Sequence, residues 1–62
     1  MISIIVPLYN KETTILTTLL SIQGQSFMDW ECIIVDDGST DKSAKVVQDF
    51  IKNDGRFVYC YK

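Results

Sequence analysis

The chain has no histidine, only two cysteines, one proline and three glycines among its 62 residues. Each shortage removes a class of protein. With no histidine and with Cys32 and Cys60 far apart, the ligands of a zinc site at their usual close spacing are missing. Both cysteines fall in apolar, strand-like segments, which predicts buried free thiols in a reducing compartment rather than a disulfide staple. Six basic residues against eight acidic ones give a formal net charge of −2. No basic patch is present to attract nucleic acid or an anionic membrane surface. Apolar runs are short, and none nears the roughly 20 residues needed to cross a bilayer. The first four residues carry no positive charge on a side chain and Pro7 interrupts the apolar stretch, so no secretory signal is visible. Together these absences predict a cytoplasmic location.

What the chain does have is apolar residues patterned for alternating strands and helices. They make up 47% of it, too many for a disordered segment. A chain of 62 residues is one domain at most, and at that size folding buries only about 60% of the unfolded surface. Ser3-Ile4-Ile5-Val6 predicts a buried strand stopped by Pro7. Asn10 is placed to cap a helix from about Glu12 to Gln23, with Ile15, Leu16, Leu19, Leu20 and Ile22 as its apolar face and Gly24 as its stop. Phe27, in the connection that follows, is expected to tuck under the sheet. Trp30 to Val35 predicts a second strand, and its β-branched run Ile33-Ile34-Val35 has the composition of a parallel strand covered on both faces. Ser39, Thr40 and Asp41 offer caps for a second helix reaching about Asn53, with Ala44, Val47, Phe50 and Ile51 as its buried stripe. Asn53-Asp54-Gly55 is a stop and turn, and Arg56 to Tyr61 alternates as a third strand.

The order β-α-β-α-β predicts half of a doubly wound α/β fold, three parallel strands joined by two crossover helices. If the first two strands lie side by side, the loop after Pro7 and the Asp36-Asp37-Gly38 turn reach the same carboxyl edge. That edge is where open α/β sheets bind ligands. Tyr9 and Asp37 then become neighbours. No G-x-G-x-x-G follows the first strand and no G-x-x-x-x-G-K-[ST] occurs anywhere, which excludes the usual dinucleotide and P-loop sites. A receiver-like signalling module also places acidic pairs at strand ends, but after its first strand, whereas this pair follows the second. An aromatic ring beside carboxylates suits a base stacked on Tyr9, with base N–H groups or ribose hydroxyls donating to the acids. The same carboxylates would repel phosphate unless a divalent metal intervened.

Three blocks in order, Ile4-Ile5-Val6-Pro7-Leu8-Tyr9-Asn10-Lys11-Glu12, Phe27-x-x-Trp30-Glu31 and Ile34-Val35-Asp36-Asp37-Gly38-Ser39-Thr40-Asp41, resemble the amino terminus of family 2 glycosyltransferases. The resemblance covers essentially the whole chain. It implies the A-type nucleotide-diphospho-sugar transferase fold. It also implies an inverting transfer of sugar from a nucleotide diphosphate, most often UDP, to an acceptor in polysaccharide or cell-envelope glycan synthesis. Carried over residue by residue, it implies that Pro7 to Tyr9 meets the base, with Tyr9 stacking on it. Glu12 lies near the nucleotide's edge, and Asp37, beside Gly38, binds base and ribose. Asp36 is either a further contact or fixes the loop by accepting backbone N–H groups.

The family's metal-binding Asp-x-Asp, acceptor pocket and catalytic base come further along than Lys62. The resemblance therefore implies no catalytic residue and no metal ligand in this chain, with Mg or Mn serving the full-length enzyme only. The expectation is the N-terminal nucleotide-binding part (residues 1–62) of an incomplete transferase domain, inactive alone, from a parent enzyme working at the inner face of the membrane. In that fold the first strand is interior. Here residues 3–6 would present an unpaired apolar edge, and the expected alternative role is a non-catalytic module that self-associates through it.

Overall fold

The computed structural model describes residues 1–25 and 29–62, so the expected position of Phe27 lies outside the described residues. Alternating apolar positions form three strands, β1 (Ile2–Leu8), β2 (Trp30–Asp36) and β3 (Phe57–Tyr61). Apolar residues at helical spacing form α1 (Ile15–Gln23) and α2 (Ser43–Ile51). The strands are parallel in the order β1-β2-β3, the half-sheet that the β-α-β-α-β order implies.

Two right-handed crossovers that step the same way put both helices on one face of the sheet. Burial follows that layout. Val6, Leu8, Trp30, Cys32, Ile34 and Phe57 are buried with Ile15, Leu19, Ile22 and Val47 in a single core, and Ile4, Phe50 and Tyr59 pack against it. The alternate strand residues Ile5 and Val58 are exposed, and Ile33 and Val35 are half-buried. Among the described residues β2 is therefore covered on one face, not on both as its composition suggested. Covering the second face takes a helix that crosses the other way, and neither α1 nor α2 does.

Several boundaries also differ from expectation, each for a local reason. β1 continues through Pro7, which pairs with Val35. The even-numbered residues make the ladder bonds to β2, as in the Ile2 N–H to Asp29 carbonyl bond, so the missing N–H of Pro7 falls on the open edge. α1 starts at Ile15, after a turn in which the Lys11 carbonyl accepts the Thr14 and Ile15 N–H groups, while the amides of Lys11 and Glu12 donate across to Ser43 Oγ (2.7 Å) and Asp41 Oδ2 (3.3 Å). Its buried face is Ile15, Leu19 and Ile22 alone. Leu16 and Leu20, 43% and 51% exposed, lie about a quarter-turn or more round the helix. α2 ends at Ile51 rather than near Asn53, and Ser43, not expected in the core, is fully buried at its start. Cys32 is a buried free thiol pushed up in pKa by that burial, but Cys60 is exposed on the uncovered face.

The amino end of the sheet is tied together by rings and by ion pairs, one of them between the Met1 amino group and Asp29 (3.3 Å). Trp30 meets Phe57 edge-on at 5.3 Å, and Phe57 meets Phe50 in the same way. The Arg56 guanidinium lies 4.1 Å from the Trp30 ring centre and also bonds Asp54 (Nη2–Oδ2 2.9 Å). That pairing with Arg56 holds the Asp54 carboxyl down at about 2, with Gln23 adding a further donor.

Candidate functional site

At the carboxyl end, Leu8 pairs with Asp36, and the ladder runs one bond further, from the Asp37 N–H to the Leu8 carbonyl (2.9 Å). Tyr9 and Asp37 consequently leave the sheet side by side. Both are exposed, Tyr9 by 54%. Gly38 follows with φ +79°, and nothing lies within 4 Å of where a Cβ would stand. Glycine is needed there for the backbone angle rather than for room.

Asp36 points the other way, into the fold, and is fully buried. Its Oδ1 accepts the Ser39 N–H (2.8 Å) and its Oδ2 accepts the Tyr59 hydroxyl (2.6 Å). Burial pushes this carboxyl up, but the bonds from Tyr59 and Ser39 outweigh it and hold Asp36 below the ordinary aspartate range. Burial, then the neighbouring Asp36 carboxylate, pushes the Tyr59 phenol up to about 12. The acid stays ionised and the phenol stays protonated across the physiological range. Asp36 thus holds the start of the 37–41 loop.

A second set of bonds joins the two rim loops. Asn10, at φ +49°, donates its N–H to Ser39 Oγ (3.0 Å). Its Oδ1 accepts from the Thr40 N–H (2.8 Å), the Asp41 N–H (3.3 Å) and the Thr40 hydroxyl (3.4 Å). Asn10 was expected to cap α1; it reaches across to the other loop instead. Of the cap candidates Ser39, Thr40 and Asp41 for α2, it is Asp41 whose Oδ1 accepts the Ser43 N–H (2.9 Å). Local propensity named Asp41 correctly and missed the partners of Asn10, Ser39 and Thr40.

Of the residues singled out from sequence, Tyr9, Asp36, Asp37 and Gly38 come together at the rim. Pro7 sits one residue below it, exposed within β1. Glu12 is exposed in the turn before α1, joined to the rim through its backbone bond to Asp41. Sequence alone does not single out Tyr59 within the alternating third strand. The signal lies in the register: Asp36 pairs with Tyr61, and alternation puts Tyr59 on the same face one diagonal step away. A divalent metal does not fit the residues present. Among the described residues no three Cys, Asp or Glu side chains come together, and both Asp36 oxygens are engaged within the fold.

The profile described as "Glycosyl transferase family 2" matches residues 3–62. The chain belongs to that family. It is 45% identical over 56 residues to an uncharacterized glycosyltransferase of Haemophilus influenzae, covering 90% of this chain and 22% of that protein. It is 41% identical over 58 residues to the GalNAc(5)-diNAcBac-PP-undecaprenol beta-1,3-glucosyltransferase of Campylobacter jejuni, covering 94% and 19%. It is 40% identical over 58 residues to the poly-beta-1,6-N-acetyl-D-glucosamine synthase of Staphylococcus epidermidis, covering 92% and 14%. The chain thus spans about a fifth of the length of the first two of these relatives. No solved structure gives a significant match. Among the described residues, no helix is long and apolar enough to cross a membrane.

Proposed function

We propose that this chain is the nucleoside-recognising part of a glycosyltransferase donor site, its parent an inverting enzyme that moves a sugar from a nucleotide diphosphate, UDP by preference, to an acceptor glycan. The observation that carries the reading is the Asp37 N–H to Leu8 carbonyl bond, which sets an exposed ring and an exposed carboxylate side by side in a family 2 chain. The Tyr9 ring offers a face to the base. Asp37, acceptor-only when ionised, takes the base N–H or the ribose hydroxyls. Gly38, through its positive φ, turns the chain beside the sugar, Pro7 and Glu12 flank the nucleoside, and Asp36 acts from below by holding the loop. Mg or Mn, with the transfer chemistry, belongs to parts of the enzyme outside this segment, so residues 1–62 alone carry out no transfer. The names of the relatives support a role in cell-envelope glycan synthesis, and the cytoplasmic face is part of the proposal.

The test is a titration of the chain with UDP followed by amide NMR. The Tyr9, Asp37 and Gly38 amides should shift first, with weak affinity. Shifts centred on Trp30 and Arg56, or none at all, would refute the reading.

A second reading rests on the edge of the sheet. Among the described residues β1 pairs only with β2, and Ile2 and Ile5 are exposed on it, so the chain self-associates through that edge. Sedimentation should show dimers or larger species at high concentration, and a stable monomer would count against it.

A further inference from the structure

We propose that Asn10 is a positioning residue, which fixes the Tyr9 backbone relative to Asp37 by locking the β1–α1 loop onto the β2–α2 loop. The Tyr9 ring is exposed, so where the ring stands is set largely by the backbone that carries it. On one side that backbone is fixed by the sheet, through the Leu8 carbonyl and Asp37 N–H. On the other side Asn10 follows at once, in the left-handed region at φ +49°. Asparagine enters that region at lower cost than most side chains because its short polar group bonds locally.

Here the bonding is not local but across the rim. Asn10 donates its N–H to Ser39 Oγ while its Oδ1 collects Thr40 N–H, Asp41 N–H and the Thr40 hydroxyl. One residue thus binds the 39–41 segment through both its main chain and its side chain. Lys11 and Glu12 continue the seam, through Ser43 Oγ and Asp41 Oδ2. Tyr9 is held between the sheet bond and this seam, and Asp37-Gly38 is held between the same two. Fixing both before a ligand arrives removes the ordering cost that binding would otherwise carry. The Asn10 bonds are exposed to water, so their loss should loosen the rim far more than it unfolds the chain. The lock is a property of the free protein; only what it serves rests on the donor-site reading.

The experiment compares the full 62-residue chain with Asn10→Gly, which keeps the positive φ and removes the acceptor, and Asn10→Asp, which keeps both. Amide exchange at Thr40 and Asp41 should quicken about tenfold in Asn10→Gly and stay near the parent rate in Asn10→Asp. Fast motion at the Tyr9 and Asp37 amides should rise in the glycine variant only, while exchange of the buried Ile34 amide is unchanged. Unchanged exchange at Thr40 and Asp41 in Asn10→Gly would overturn the proposal, as would an aspartate variant that behaves like the glycine one. Uridine, which has no phosphate to be repelled by the added charge, then serves as ligand. Its affinity should fall roughly tenfold in Asn10→Gly and recover in Asn10→Asp. If the parent chain binds no uridine, the donor-site reading fails while the exchange and motion measurements still decide the lock. If the parent binds and Asn10→Gly binds equally well, the lock does not position Tyr9 for the nucleoside and the proposal fails.

Discussion

At the amino end of the sheet Trp30 is edge-on to Phe57 and capped by the Arg56 guanidinium, whereas at the carboxyl end Tyr9 stands exposed beside an exposed Asp37. The first aromatic is held by what packs on it. The second is held by the backbone beneath it, through sheet bonds, two residues at positive φ and the Asn10 seam. Burial and ring contacts stabilise a fold but leave nothing for a ligand to touch. A ring and a carboxylate positioned by polar bonds remain free to be touched. In a chain this small, stability and recognition are thus separated along the strand direction, so substitutions at the two ends should fail in different ways.

The largest effect is expected at the amino end. Trp30→Ala should cost about 3–5 kcal/mol through the cavity and lost ring contacts. A chain of 62 residues has only about 3–9 kcal/mol to lose. Circular dichroism should show loss of cooperative unfolding. A well-folded variant with an unchanged midpoint would break the comparison.

Tyr59→Phe comes next, because Tyr59 belongs to the core and yet supports the rim. It strips the donor from Oδ2 of the buried Asp36 carboxylate and should cost about 1–3 kcal/mol in denaturant unfolding. Asp36 should also titrate higher in that variant. No change in either quantity would remove Asp36 from its role as the loop's anchor.

Acid should sharpen the contrast. Asp54, bonded to Arg56, has its pKa depressed to about 2 in the folded chain. A carboxylate depressed on folding contributes stability above its unfolded value, near 4, and loses it as pH falls through the folded value. After discounting for the partly exposed Arg56 partner, the loss should be about 1–2 kcal/mol between roughly pH 4 and pH 2. Asp36 is depressed as well and acts in the same direction. Asp54→Asn should flatten this pH dependence, measured as unfolding midpoints across the range, and an unaltered slope would exclude the ion pair as its source.

Gly38→Ala should be smaller, about 1 kcal/mol, since the new Cβ meets open space and only the φ of +79° is penalised. A neutral result would mean that the turn can relax without cost.

These expectations rest on features of unequal visibility in the sequence. The parallel pairing of β1 with β2, and with it the meeting of Tyr9 and Asp37, was legible because strand spacing and crossover handedness leave little choice. Trp30 was legible as packing because it opens a buried strand. Asn10 was not, since capping propensity is a local rule and its partners Ser39, Thr40 and Asp41 lie on the other loop. Pro7 looked like a stop because sequence does not say which residues of a strand turn their N–H toward a neighbour. Leu16 and Leu20 show the same limit, as apolar spacing reveals that a face exists but not how wide a strip the sheet covers. Cys60 and the uncovered side of β2 depend on where the helices cross, a property of the whole topology rather than of any one stretch.

The most direct test of the separation is to measure UDP affinity and unfolding free energy on one preparation of Asp37→Asn. Asp37 is exposed, so stability should stay within about 0.5 kcal/mol of the parent while affinity drops by about tenfold or more. Affinity that holds while stability falls, or the two falling together, would contradict the division of the molecule into an end that holds the fold and an end that holds the nucleotide.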